Sequence, residues 1–306
     1  MRTRNTYVAL LLALGAGTAL TVVGCSPDTT VPPISLAAPD PRITLQKVED
    51  LRAKYGWVGK YHTDGLGYVY RQLAKSGNKV NGRDDACRIA TMAIKEFHKA
   101  AGKGEVPAGM VGTSFDIGEC IPASGVAPIR GTILSGPSAS APRHSLSGAA
   151  VGYLDRLGAV PDNSNSSFEY ANQVTAIEFE AAANLPEDEA GAVTAVASVA
   201  ISSATYWEQN LDSWAGLPGT LPLPYARNAG GTLQSIGVAP GKPVYAGAPR
   251  WWSNPAVVGF RRVLSADIMA GGRTAYLAWA LGPVALDAVA ASALWGSATT
   301  GVILLF

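Results

Sequence analysis

The stretch YHTDG, Tyr61 to Gly65, holds the pair of residue types best suited to chemistry in this chain: an imidazole at His62 and a carboxylate at Asp64. A carboxylate that orients a histidine makes a base, and the same two side chains ligate divalent metals. Two residues apart at a helix start they can flank one turn, so His62 and Asp64 are the candidate metal ligands. A zinc site takes three or four protein ligands, however, and the sequence shows no further cluster beside them. The competing reading has Asp64 serving the amino end of a helix while His62 packs beside Tyr61 or Tyr68. The remaining histidines are His98 and His144. EFHKA around His98 lacks the second histidine of a zinc-protease helix, which makes His98 a surface or half-buried residue. With no Gly-x-Ser-x-Gly elbow, phosphate-binding glycine loop or dinucleotide fingerprint, no catalytic residue and no cofactor is assigned.

The chain has three cysteines, Cys25, Cys87 and Cys120. In an oxidising compartment Cys87 and Cys120 read as a disulfide, and closing a loop of that length contributes roughly 3 to 4 kcal/mol in the chain-entropy model. The alternative, a nucleophilic cysteine served by His98 or His144, lacks the local signatures of the catalytic cysteine families. SSATYWEQNLDSW carries Tyr206, Trp207 and Trp214, and PRWWSNP carries Trp251 and Trp252. Exposed indoles stack on sugar rings or line interfaces, so the four tryptophans are candidate contacts for a glycan or an envelope protein. Indole is also a common core filler.

Cys25 stands directly behind an apolar run. Arg2 and Arg4 precede that run, and no charged side chain occurs from Tyr7 to Gly24. A basic start followed by a short apolar region is the layout of a secretory signal, too short to span a bilayer as roughly 20 apolar residues would. Val22, Val23, Gly24 and Cys25 resemble the lipobox of bacterial lipoproteins. The resemblance implies cleavage before Cys25, a diacylglycerol thioether on its sulfur and a further acyl chain on the new amino terminus. Because each buried methylene contributes about 0.8 kcal/mol, two or three chains hold a protein at a membrane where one tethers it transiently. Ser26, in place of an inner-membrane retention aspartate, favours the outer membrane in an organism that has one. Pro27, Pro32, Pro33, Pro39 and Pro41 then break any helix and make residues 25–41 a semi-rigid tether.

Loss of residues 1–24 removes Arg2 and Arg4, leaving 22 of the 24 basic residues against 23 acidic ones. A nearly neutral chain with 15% charged residues has no electrostatic footprint for nucleic acid. Its 48% hydrophobic content and 34 glycines describe a packed body rich in small residues.

The periodicity predicts helices over DPRITLQKVEDLRAKYG, over HTDGLGYVYRQLAKSGN with Thr63 as a cap and Gly77 as the stop, and over GRDDACRIATMAIKEFHKAAGKG. Further helices follow in SLSGAAVGYLDRLG, SSFEYANQVTAIEFEAAAN and LPEDEAGAVTAVASVAISSATYWEQN. The last opens on Pro186 and three acids and is small or apolar all round, as a central helix would be. Short strands are expected near GMVGTSFDIGEC. From Thr274 to Phe306 the only charged residue is Asp287. This tail reads either as a buried hairpin broken near Gly282 and Pro283, or as a membrane-inserting segment similar to the glycine-rich tails of pore-forming bacteriocins. Asp287 counts against a simple span, since a charge at mid-bilayer costs at least about 2.5 to 3.5 kcal/mol.

Gly59, His62 and Leu66, then Ser203, Tyr206 and Trp207, then the tail from Asp267, together resemble an uncharacterised set of secreted bacterial proteins. In that set Asn stands where this chain has Thr63. The resemblance implies a helical body and carries over no catalytic residue. The resulting expectation is a mainly α protein, an irregular helical bundle with Gly/Pro-rich loops and a hydrophobic C-terminal helical hairpin. Its segments are a signal peptide 1–24, a tether 25–41, a helical body 42–216, a connector 217–262 and a C-terminal region 263–306. The functional expectation is a lipid-anchored envelope protein with a binding or structural role, the alternative being a membrane-active protein that inserts its tail.

Overall fold

A computed structural model describes residues 41–102, 146–220, 255–279 and 283–306. Within them the chain is a helical bundle with no β-strand. Its helices are α1 (Pro41–Tyr55), α2 (Trp57–Ser76), α3 (Arg83–Ala100), α4 (Gly148–Asn163), α5 (Ser167–Asn184), α6 (Glu187–Ala215), α7 (Pro255–Ala278) and α8 (Pro283–Leu305). The strands expected near residues 109–120, the lipobox, residues 25–40 of the tether and most of the connector lie outside the described residues; Pro41, assigned to the tether, instead opens α1, where a first-turn proline is tolerated.

Local chemistry accounts for many of the helix ends. Gly77, at φ 53°, closes α2 in a conformation that a Cβ would strain. Asp84 and Asp85 occupy the positive end of α3, with His98 and Lys99 in its last turn. Ser147 caps α4 by accepting from the Ala150 amide, and Ser166 caps α5 by accepting from the Glu169 amide at 3.0 Å. Pro186 immediately precedes α6, whose first turn holds Glu187, Asp188 and Glu189. One end differs from expectation: α2 begins at Trp57, so Thr63 lies inside the helix and donates its hydroxyl to the Lys60 carbonyl at 3.0 Å. The apolar stripe of α2 extends back through Val58, which supplies the missing turn.

Two packings position the candidate site. The α7–α8 hairpin forms the most extensive helix–helix contact, and α2 lies against α6. α7 also packs on α4 and α6, and α8 on α2 and α3, so the body and the tail belong to one compact unit over residues 39–306. The C-terminal hairpin expected from sequence is present, but its first helix starts at Pro255, inside the stretch assigned to the connector. α8 is long and apolar enough to cross a membrane, yet most of its stretch Leu286–Leu305 is buried within the protein. The core is filled by Leu66, Leu73, Leu154, Leu157, Tyr170, Trp207, Trp214, Leu264 and Ile268. Each large aliphatic side chain so buried contributes roughly 1.5 to 3 kcal/mol.

Close approach, rather than bulk, sets the α2–α6 distance. A Cβ on Gly59 would collide with the Ser198 carbonyl, and the Gly59 amide donates to the Ser198 hydroxyl at 3.1 Å. At the α7–α8 crossing, a Cβ on Gly296 would stand 2.9 Å from the Ala266 carbonyl.

Candidate functional site

His62 lies in the apolar stripe of α2, between Val58 and Leu66, and its side chain has no exposed surface. Asp64 is two residues further on, about 200° around the helix axis. It faces solvent and pairs with Lys60 at 2.5 Å. The two candidate metal ligands therefore point away from each other and cannot hold one ion. Nor does Asp64 serve the amino end of α2, which lies two turns upstream.

The carboxylate that meets His62 is Asp267 of α7. His62 Nε2 is 3.5 Å from Asp267 Oδ2, and both side chains are fully buried. Oδ2 accepts the hydroxyl of Ser203 from α6 and, at 3.0 Å, that of Ser297 from α8. Ser297 Oγ in turn accepts from Trp207 Nε1 at 3.0 Å. One buried oxygen thus ties α6, α7 and α8 together, with the imidazole of α2 beside it. Hydrogen bonds arranged in such a chain reinforce one another where the dielectric is low. Among the described residues, Asp267 Oδ1 and both ring nitrogens of His62 have no hydrogen-bond partner.

Burial dominates the electrostatics of this cluster. It pushes His62 down to about 3, and it holds Asp267 well above the usual carboxylate range, partly opposed by the Ser203 and Ser297 hydroxyls. Burial also raises the Tyr170 phenol, which donates to the Ala200 carbonyl at 3.1 Å and lies in the field of Asp267.

Serine, histidine and aspartate converge here, but their wiring differs from that of a hydrolase. In a nucleophilic triad the serine proton goes to histidine and the aspartate orients the imidazole from its far side. Here the Ser203 hydroxyl donates to Asp267 itself. As metal ligands His62 and Asp267 are two where a closed zinc site needs four. Among the described residues no group of three His, Cys, Asp or Glu side chains could hold an ion. Neither of two surface grooves, one beside Arg156 and Gln173, the other beside Ile43 and Glu187, is lined by any residue of the cluster.

The other sequence candidates divide by burial. Trp207 and Trp214 are fully buried, packed against each other with centroids 5.0 Å apart and ring planes tilted by 51°, so neither offers a face to a glycan or partner. Trp214 Nε1 donates to the Tyr206 hydroxyl at 2.9 Å, and burial pushes that phenol up to about 12. His98, expected at or near the surface, is buried and shares a 2.6 Å hydrogen bond with the Tyr61 hydroxyl. Cys87 is buried on α3, while Cys25, Cys120, His144, Trp251 and Trp252 lie outside the described residues.

Periodicity and spacing gave no reason to join Asp267 to His62. The one signal was the pattern that groups His62 with Ser203 and the tail from Asp267, three residues that the structure brings together from α2, α6 and α7. Compared with known proteins, the chain matches no family model, no curated sequence and no solved structure.

Proposed function

We propose that this chain is an exported protein anchored to the cell envelope by acyl groups on Cys25, with a non-enzymatic binding or structural role. The observation that carries the reading is the placement of α8: among the described residues, the one helix with the length and composition of a span is packed inside the body. Membrane attachment then falls to the acylated Cys25, with residues 25–41 as the spacer and the outer membrane favoured by Ser26. Insertion of the α7–α8 hairpin would strip Asp267 from Ser203 and His62 and carry it toward lipid, at a cost of about 2.5 to 3.5 kcal/mol or more.

With Trp207 and Trp214 in the core, Trp251 and Trp252 are the remaining indole candidates for contact with an envelope glycan or protein. A disulfide between Cys87 and Cys120 suits the oxidising compartment that this reading requires.

The test is alkaline carbonate extraction of a Cys25→Ser variant exported through a cleavable, non-lipoprotein signal. Release of a soluble, folded protein is the expected result. Retention in the membrane would overturn it in favour of the second reading, a membrane-active protein that inserts its C-terminal hairpin, which the length and apolarity of α8 favour.

A further inference from the structure

Among the described residues, a buried polar cluster joins the α7–α8 hairpin to the rest of the bundle. Asp267 meets Ser203 and Ser297, and His62 stands 3.5 Å from the same carboxylate oxygen. We propose that His62 and Asp267 form a one-proton latch: the folded protein keeps a single proton on the pair, so that docking of the hairpin against α2 and α6 depends on pH.

Both side chains are fully enclosed, and an isolated charge in that setting is far more costly than a neutral pair or a compensated ion pair. Aspartate and histidine reach zero net charge with one proton between them. It sits either on the carboxyl, beside a neutral imidazole, or on the imidazole, beside a carboxylate. The two hydroxyls donated to Oδ2 suit both arrangements, since a carboxyl oxygen and a carboxylate oxygen each accept two hydrogen bonds. The count of one does not depend on which arrangement holds.

Other groups bear on the pair less directly. Tyr170 of α5 feels Asp267, and its phenol is raised by burial. Arg261 and Arg273 lie half-buried on α7 itself, six residues to either side of Asp267. Half-buried Asp287 of α8 acts on Tyr61, and α4 carries half-buried Asp155.

Linkage then gives the sign in three windows. In the unfolded chain aspartate titrates near ~3.9 and histidine near ~6.5. Asp267 is raised on folding, so its contribution to stability is full below ~3.9 and is lost as pH rises toward its folded value. His62 is lowered, so its contribution is full above ~6.5 and is lost as pH falls toward about 3. Between ~3.9 and ~6.5 the two slopes cancel, because folded and unfolded pairs each carry one proton. Below this plateau the unfolded pair holds two protons and above it none. The latch therefore holds best in mildly acidic conditions and weakens as pH rises through neutrality.

The decisive experiment is calorimetric unfolding of the full mature chain at pH 7.5, in buffers of different ionisation enthalpy, for the wild type and for Asp267→Asn. Asparagine keeps the size and the acceptor oxygen but does not titrate. The wild type should release about one proton more than Asp267→Asn on unfolding, and its melting temperature should fall from pH 6 to pH 8.5 more steeply than the variant's. Equal proton release by the two proteins would overturn the proposal. Should Asp267→Asn fail to fold, His62→Gln decides: its alkaline fall should begin near ~3.9 in place of ~6.5, and the downturn below ~3.9 should weaken. An unchanged acid limb would overturn the latch.

Discussion

α3 and α6 both open on acidic residues, yet different forces hold them in place. α3 has two faces. Ala86, Ala90 and Ile94 are buried on one, while Arg88, Lys95 and Lys99 meet water on the other. Such a stripe fixes which side of the helix faces the core but leaves its height and rotation loosely set. From Ala190 to Ala200 α6 is enclosed on nearly every side, so hydrophobicity cannot orient it. Its position comes from shape and from polar matching: Gly59 against Ser198, Ser203 on Asp267, and Trp207 on Ser297. An outer helix is thus placed by burial in general, and a central one by particular contacts.

Three substitutions probe that contrast. Trp207→Ala removes the largest side chain of the central contact and leaves the Ser297 hydroxyl without its donor. Urea denaturation should show a loss of about 3 to 5 kcal/mol. A loss below about 1 kcal/mol would mean that the centre of the bundle adapts as freely as its rim.

The same change at two glycines of α2 should have opposite signs. Gly59→Ala drives a methyl into the Ser198 carbonyl and should destabilise by about 1 to 3 kcal/mol. At Gly67→Ala the nearest atom is the flexible Arg71 guanidinium, at 3.4 Å, so better helix propensity should stabilise by about 0.5 to 1 kcal/mol. Thermal melts of the two variants side by side sharpen the comparison, and equal shifts would dissolve it.

The smallest effect is expected at Asp64→Ala, which breaks only the exposed pair with Lys60. A double-mutant cycle should return a coupling of about 0.3 to 0.5 kcal/mol, screened by salt.

Much of the fold was legible in the sequence for the reason that α3 illustrates. The stripe Ala86, Ala90 and Ile94, the acids at one helix end and Gly77 at another are local signals that act within a few residues. The small-residue character of α6 correctly announced a central helix, and the run after Arg273 announced an apolar hairpin. The candidate site was half legible. His62 stands out by residue type, but spacing along the chain, the measure of distance a sequence offers, points only to Asp64 as a candidate partner. Trp207 and Trp214 read equally well as surface platforms or core fillers, since indole serves both purposes.

By itself the sequence determined which segments are helical and several of their ends, though not the starts of α2 and α7, and that the C-terminal segment must avoid water. Those outcomes rest on capping, periodicity and apolar area, which a short window contains. Only the tertiary structure decided that the hairpin turns inward, that both central tryptophans lose their solvent faces, and that His62 answers to Asp267. These depend on which surfaces fit closely enough to exclude water. Exclusion of water is also what gives a buried imidazole and carboxylate properties that neither shows in an open chain.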